Sequence, residues 1–168
     1  MKNKCIIFGL SLVLLSFSLP RAQAQELGVG VRLGGYTSGL SVKYYRGDNT
    51  AFEGILGTSL SRRGVQLTGL YEIQASALGV PNLQWFYGAG AHLGSFSRQQ
   101  YHRRGNKYYN YVGDKQLFTL GIDGIVGLEY QITEIPITVG LDFKPFIDVN
   151  GDGVFLLPDG ALTVRYTF

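Results

Sequence analysis

The stretch that decides the fold is ALTVRYTF, residues 161–168. Its apolar side chains, Leu162, Val164, Tyr166 and Phe168, recur at every second position. This is the period of a β-strand that turns one face to an apolar phase. A strand at the end of a chain has no later segment to cover its free edge, so it must pair or remain prone to aggregation. The pattern therefore predicts a sheet that closes on itself, with the last strand beside the first.

The N-terminal segment has the pattern of a cleavable signal peptide. Lys2 and Lys4 precede an apolar run over residues 6–19, and Ala22-Gln23-Ala24 supplies the small residues of a cleavage site. We therefore expect residues 1–24 to be removed, leaving residues 25–168 as one domain. The single cysteine, Cys5, lies in the removed segment, so we expect neither a disulfide nor a lipid anchor.

The composition is unusual for a soluble globule. Charged residues make up 16% of the chain, against roughly 25% in typical soluble domains. The chain contains 24 Gly, 11 Tyr and 10 Phe, and no mature segment keeps a helical apolar period. Three of the 15 basic residues lie in the signal segment, which leaves twelve basic and twelve acidic residues. Net charge thus gives no reason to expect nucleic-acid binding, and the aromatic, glycine-rich composition favours a chain whose surface meets lipid.

Eight segments alternate apolar and polar side chains, and each is near the roughly 9–11 residues of a tilted membrane strand. The fold class predicted is all-β, a closed eight-stranded antiparallel transmembrane β-barrel with both termini in the periplasm. The segments are about 26–35, 39–46, 51–61, 64–75, 83–95, 116–131, 136–147 and 160–168.

The polar face of these segments is predicted to line the barrel interior. A small eight-stranded barrel has room inside only for side chains, and buried charges must pair because an unpaired one is costly. Four apolar residues, Ile55, Leu70, Leu117 and Ile125, interrupt this polar face. The charged residues expected inside are Arg32, Lys43, Glu53, Glu72, Asp123, Glu129, Asp142, Lys144 and Arg165.

Aromatic residues are expected to form two interfacial girdles on the outer wall. The girdle near the termini would contain Tyr44, Phe52, Tyr71, Trp85, Tyr87, Tyr130, Tyr166 and Phe168. The opposite girdle would contain Tyr36, Phe96, Phe118 and Phe146.

The chain resembles a known family at this point. The phrase GLEY at residues 127–130, IPI at 135–137 and GLDFKP at 140–145 is similar to the penultimate hairpin of small outer-membrane barrels from Bacteroidetes-type bacteria. The whole mature chain resembles these OmpA/OmpX-like barrels, and the terminal Phe resembles their insertion signal. The resemblance implies location in the cell outer membrane, contact with its lipid, and assembly by the barrel-assembly machinery. It does not fix an activity, because this architecture hosts many.

A loop is predicted over about residues 97–115, and its composition suggests an anionic partner. It holds five basic residues against Asp114 alone, with four interleaved tyrosines. Basic and aromatic side chains together can bind phosphate while stacking on sugar rings. We expect contact with lipopolysaccharide through Arg98, Arg103, Arg104 and Lys107, although an ordinary solvated loop has the same composition.

A second loop, predicted over residues 148–159, matches the opening of a calcium-binding loop. Asp148, Asn150 and Asp152 would supply oxygen ligands, and Asp159 falls at the twelfth position. A plain turn is the alternative, because Asn-Gly and Asp-Gly are common turn dipeptides. No other cofactor is expected.

Catalysis has little support in the sequence. The mature chain contains only His92 and His102 and has no nucleophile-elbow motif. We therefore expect a non-enzymatic, monomeric barrel with a structural, adhesive or envelope-integrity role. A lipid-A-modifying enzyme is the first alternative and would need His92 beside a serine and an acid. A soluble lipocalin-like barrel is the second, and it would need the apolar face inside.

Overall fold

Alternating apolar and polar residues form eight β-strands in the computed structural model, which describes residues 27–47, 49–59, 64–104, 107–151 and 153–168. The predicted signal peptide, residues 1–24, lies outside the described residues. The strands are β1 (Leu27–Gly34), β2 (Thr37–Arg46), β3 (Thr50–Ser59), β4 (Gly64–Ser76), β5 (Leu83–Arg104), β6 (Lys107–Gln131), β7 (Ile137–Asn150) and β8 (Gly153–Thr167).

Each strand pairs antiparallel with its neighbour in sequence, and β8 pairs with β1, so the barrel is closed. The closing ladder runs from Gly28 opposite Thr167 to Gly34 opposite Ala161. The free edge of the last strand is therefore satisfied by the first strand, as the sequence predicted. The predicted all-β closed eight-stranded antiparallel barrel is confirmed.

The register fixes the tilt and width of the barrel. Following paired residues from Gly28 on β1 through each strand in turn leads to Leu157 on β8. Gly28 itself pairs with Thr167, so the stagger around the barrel is ten residues. With a rise of about 3.3 Å per residue and strands about 4.8 Å apart, this stagger gives a tilt of about 41° and a radius of about 8 Å.

The two faces of the wall separate as the alternation predicts. All nine charged residues expected inside are at most 7% exposed, while the outer wall carries the large apolar residues. Leu33, Leu56, Leu141 and Leu162 are each more than half exposed. The apolar face is thus outside, the opposite of what a lipocalin-like barrel requires. Three of the four interrupting residues, Ile55, Leu70 and Ile125, pack with Phe86 in a small apolar cluster inside the barrel.

Several glycines allow close contact between neighbouring strands, and Gly30 and Gly90 on the inner wall are two examples. An added Cβ at Gly90 would overlap the backbone carbonyl of Gly69 on the neighbouring strand, and one at Gly30 would overlap the carbonyl of Val164. By contrast, a Cβ at Gly69 would meet nothing within 4 Å. Glycine is therefore a steric requirement at Gly30 and Gly90.

The prediction of two long loops is wrong, because most of both segments belongs to β-strands. Residues 97–104 continue β5 and residues 107–115 continue β6, so this segment is a β-hairpin that extends beyond the neighbouring strands. Pairing with β4 stops at Phe96 and pairing with β7 stops at Thr119. Residues 148–150 likewise end β7 and residues 153–159 begin β8. Polar composition hid the β5–β6 extension, because a two-stranded ribbon can form without an apolar face. The β8 part of the other hairpin was hidden because Val154 to Leu157 form an unbroken apolar run without alternation, followed by Pro158.

The barrel has two distinct ends. The connections from β2 to β3, from β4 to β5 and from β6 to β7 lie at one end, which we call the turn end. The start of β1 and the end of β8 also lie there. The other end carries the extended β5–β6 and β7–β8 hairpins, and we call it the hairpin end.

The aromatic girdle predicted near the termini is found on the outer wall at the turn end. Its eight members, Tyr44, Phe52, Tyr71, Trp85, Tyr87, Tyr130, Tyr166 and Phe168, are 40–47% exposed. The predicted girdle at the opposite end is wrong in most members. Phe96 and Phe146 are buried and Tyr36 packs edge-on against Phe146, so only Phe118 points outward. Phe96 and Phe146 follow the inward parity of their strands, and Tyr36 lies in the turn between β1 and β2.

Candidate functional site

The charged side chains of the interior form three groups at successive heights along the barrel axis. We call them the lower, middle and upper clusters, and the lower cluster is the one nearest the turn end. This lower cluster consists of Lys43, Glu53, Glu72, Glu129 and Arg165. Nη2 of Arg165 lies 2.5 Å from Oε1 of Glu53, and its Nη1 lies 2.8 Å from Oε2 of Glu129. Short, charge-assisted contacts of this kind are the strong class of hydrogen bond. Arg165 therefore ties together strands β8, β3 and β6.

Lys43 holds the other half of the lower cluster. Its Nζ lies 2.8 Å from Glu72 and 3.0 Å from Glu129, and 4.3 Å from the centre of the Phe86 ring. Tyr45 donates its hydroxyl proton to Oε1 of Glu129 at 2.7 Å. Both oxygens of Glu129 are thus occupied, and the carboxylate is held by partners from β2 and β8.

The middle cluster consists of Arg32, Asp142 and Asp159. Arg32 forms a two-pronged contact with Asp142, with Nη2 to Oδ1 at 2.6 Å and Nε to Oδ2 at 3.2 Å. Its Nη1 donates to Oδ2 of Asp159 at 2.9 Å. Asp159 also accepts from the Thr37 hydroxyl at 2.9 Å and from the Tyr36 backbone N–H at 2.8 Å. This carboxylate therefore fixes the β1–β2 turn against β8.

The upper cluster consists of His92, Asp123, Lys144 and Asp148. Lys144 Nζ lies 2.6 Å from Oδ1 of Asp123, and His92 Nδ1 lies 2.7 Å from Oδ2 of the same carboxylate. The second ring nitrogen of His92 faces Oδ1 of Asp148 at 3.7 Å. The His92 ring also packs edge-on against Phe146. The imidazole is therefore enclosed by two acids and one aromatic ring.

The three clusters confirm the predicted paired interior and extend it. All nine predicted charged residues take part in ion pairs. The described part of the chain adds His92, Asp148 and Asp159, each at most 4% exposed. Asp159 was assigned to a loop in the sequence, although it shares the inward parity of Ala161, which is buried. Beginning the last predicted strand one residue earlier, at residue 159, would have placed it correctly.

The residues predicted to bind calcium are spread along the β7–β8 hairpin. Asp148 pairs across the ladder with Phe155, whereas Asp159 pairs with Lys144, four rungs away. Four rungs correspond to about 13 Å, so Asp148 and Asp159 do not face one cation together. Asn150 pairs with Gly153 at the tip, and Asp152 lies outside the described residues. No group of three or more acidic, His or Cys residues in the described ranges could hold a metal ion. Calcium binding stays a prediction.

The predicted lipopolysaccharide-binding residues lie on the extended β5–β6 hairpin. Arg98 and the pair Arg103–Arg104 belong to β5, and Lys107 begins β6. The backbone register brings Arg104 opposite Lys107, which concentrates basic residues at the tip. The side chains of these four residues lie outside the described part of the structure, so their role stays a prediction.

The geometry required for a lipid-A-modifying enzyme is present only in part. His92 has an acid partner in Asp123, but its other nitrogen faces a second acid, Asp148. Ser95, a nearby serine, has the same parity as the exposed Leu93 and therefore lies on the outer face. A hydroxyl nucleophile would be needed where Asp148 stands.

Comparisons with known proteins name no relative: no family model matches the chain, and no curated protein matches it significantly. Within the described residues, no helix is long and apolar enough to cross a membrane. The eight-stranded barrel is thus shown by the structure, whereas the likeness to OmpA/OmpX-like proteins remains a resemblance.

Proposed function

We propose that the chain is an integral outer-membrane β-barrel with a non-enzymatic structural, adhesive or envelope-integrity role. The observation that carries the proposal is that charged side chains are buried inside the barrel while large apolar side chains are exposed on its outer wall. Arg32, Lys43 and Glu72 are fully buried, whereas Leu33, Leu120 and Ile122 are 63–65% exposed. A water-soluble chain rarely exposes large contiguous apolar surfaces, but a lipid-facing wall requires them.

The height of the apolar wall supports the same proposal. On β7 the outward residues run from Ile137 to Val149, interrupted only by Pro145. At the barrel tilt this run covers about 30 Å along the axis, which matches the hydrocarbon core of a bilayer. On β1 the run from Leu27 to Leu33 covers only about 15 Å. We therefore expect the bilayer to thin beside β1 and β2.

The filled interior argues for a structural role rather than transport. Ion pairs span the inside at three levels, and an apolar cluster of Ile55, Leu70, Phe86 and Ile125 fills the space beside them. A barrel about 8 Å in radius has no room for a water channel once its interior is occupied. A passive envelope component is consistent with this packing.

The first experiment separates the membranes of cells that express the full chain and treats intact cells with trypsin. We expect the protein in the outer-membrane fraction, with cleavage in the basic β5–β6 hairpin and after Arg62 or Arg63, between β3 and β4. A folded barrel should also migrate faster on unheated than on heated detergent gels. Recovery in a soluble fraction would contradict the membrane proposal.

We further propose that the β5–β6 hairpin contacts the phosphates of lipopolysaccharide. The segment from residue 97 to 115 has five basic residues and one acidic residue. Exposed ion pairs are screened over about 8 Å at physiological ionic strength, so the affinity should fall as salt rises.

The test replaces Arg98, Arg103, Arg104 and Lys107 together with Ser and measures binding to immobilised lipopolysaccharide. We expect a weaker affinity and a shallower salt dependence, with the barrel still folded. Arg46→Ser, on the exposed turn end, is the matched control and should bind as the parent does. Unchanged binding by the fourfold variant would refute this contact while leaving the membrane proposal intact.

A further inference from the structure

We infer that the turn end of the barrel contains a binding cavity for an uncharged oligosaccharide. This cavity has a volume of about 1030 Å³ and is lined by the turns and by the inward residues of the last rung of the barrel. The inference goes beyond the proposed membrane role and does not depend on it, because the cavity belongs to the closed barrel itself.

The lining is polar but carries no free charge. Five of its side chains are amides, from Asn49, Gln74, Asn82, Gln84 and Gln131. Among the lining residues that the structure describes, the only charged one is Glu129, and its carboxylate is already held by Tyr45, Lys43 and Arg165. A charged ligand would therefore lose its hydration without gaining a partner of opposite charge. The cavity selects a neutral ligand with many hydrogen-bonding groups.

Two buried polar groups in the lining lack a hydrogen-bond partner among the described residues, and such a ligand could supply one. Gln74 is 2% exposed and Thr167 is 3% exposed. Neither Nε2 of Gln74 nor Oγ1 of Thr167 has a hydrogen-bond partner among the described residues. A buried polar group without a partner is destabilising, so a ligand hydroxyl or carbonyl that hydrogen-bonds to these atoms would bind favourably.

The backbone at the rim favours a glycan over a peptide. One common mode of peptide binding adds a strand to an open sheet edge through main-chain hydrogen bonds, and the closed barrel offers no such edge. The N–H groups of Gln74, Ala77 and Gln131 donate to the carbonyls of Asn49, Leu83 and Asn82. These backbone groups are thus engaged across the turns. Recognition falls to side-chain amides and hydroxyls, which suit the hydroxyl and acetamido groups of a sugar chain.

Tyr45 supplies a fixed aromatic surface in the same cavity. Its hydroxyl is tied to Glu129 at 2.7 Å, and Lys43 lies 5.3 Å from the centre of its ring. A ring held at both its edge and one face keeps its position when a ligand arrives, so little side-chain freedom is lost on binding.

The experiment titrates the folded barrel, in detergent, with the β-1,4-linked trimer of N-acetylglucosamine and follows it by calorimetry and by NMR of the side-chain amides. Maltotriose, triglucosamine, a galacturonic acid trimer and tetra-alanine amide are the comparison probes. We expect the two neutral sugars to bind and to shift the Gln74, Gln84 and Gln131 amides. We expect no binding of the cationic sugar, the anionic sugar or the peptide.

The variant Gln74→Met keeps the side-chain length and removes the amide. Loss of one buried hydrogen bond of about 1 kcal/mol corresponds to an affinity about fivefold weaker. Gln116→Met, exposed at the hairpin end, is the matched control and should bind as the parent does. If Gln74→Met fails to fold, the half-buried Gln131→Met replaces it and should show the same weakening.

Three results would overturn the inference. The first is that neither neutral sugar gives binding heat or an amide shift up to about 10 mM. The second is that Gln116→Met weakens the sugar affinity as much as Gln74→Met does. The third is that the peptide binds more tightly than the sugars. The last result would assign the cavity to a protein segment instead. None of these outcomes bears on membrane location, which the fractionation experiment decides.

Discussion

Removing the Arg165 guanidinium should be among the most destabilising single changes in this protein. The side chain is 2% exposed and donates three hydrogen bonds, to Ser41 at 2.9 Å, Glu129 at 2.8 Å and Glu53 at 2.5 Å. The substitution Arg165→Met keeps most of the aliphatic volume and deletes the charge. Its effect therefore reports the ion pairs rather than a cavity.

The magnitude follows from the charges left behind. The lower cluster holds three carboxylates against two cations, and the substitution leaves Lys43 as its only cation. Removing one partner of a buried ion pair costs about 3–5 kcal/mol, because the remaining charge stays buried without compensation. We expect the free energy of unfolding to fall by about this amount at neutral pH.

Urea unfolding in lipid vesicles is a suitable assay. The chain has a single tryptophan, Trp85, which lies on the outer wall and stacks on Tyr87 at 5.1 Å. Its emission should shift when the barrel leaves the lipid. Arg46→Met is the matched control, because Arg46 is exposed at the turn end and makes no ion pair in the described structure. This control should change stability by less than about 0.5 kcal/mol.

A second variant tests whether the unpaired carboxylates cause the loss of stability. Adding Glu53→Gln and Glu129→Gln to Arg165→Met removes the charges that the first change stranded. Neutral replacement of a whole buried ionic group is often tolerated, so most of the lost stability should return. If Arg165→Met unfolds at the same urea concentration as Arg46→Met, or if the triple variant is less stable than Arg165→Met alone, the buried ion pairs of Arg165 do not stabilise the barrel.

Three further predictions concern the wall and the middle cluster. Gly90→Ala should destabilise the barrel by about 1–3 kcal/mol, whereas Gly69→Ala should be neutral or slightly stabilising; equal urea midpoints would contradict the steric argument. Leu141→Arg, on the outer wall, should cost about 2–4 kcal/mol in vesicles, and a cost near zero would count against a lipid-facing surface. Asp159→Asn should weaken the hold on Arg32 and lower the urea midpoint equally with calcium or with chelator; a loss seen only with calcium would instead make Asp159 a cation ligand.

The alternation of side chains was readable from the sequence because its physical cause is local. In a strand, successive side chains point to opposite faces, so parity alone placed Arg32, Lys43, Glu53 and Arg165 inside. The same rule placed the aromatic residues at the turn end on the outer wall. Phe146 lies within the predicted strand 136–147 and has the inward parity of Asp142 and Lys144, so its placement in the outer girdle went against the alternation. Asp159 was missed because the last strand was predicted to begin at residue 160, whereas β8 begins at Gly153.

The partners of the buried charges were decided only by the tertiary structure. Arg32 meets Asp142 across 110 residues of sequence, and Lys43 meets Glu129 across 86. Which inward residues share a level depends on the ten-residue stagger of the closed barrel, a property of all eight ladders together. The amide-lined cavity at the turn end has the same origin, because Tyr45 on β2, Gln74 on β4 and Thr167 on β8 line one cavity only when the ring closes. Sequence parity therefore determined the face of each residue, and closure of the barrel determined its neighbours.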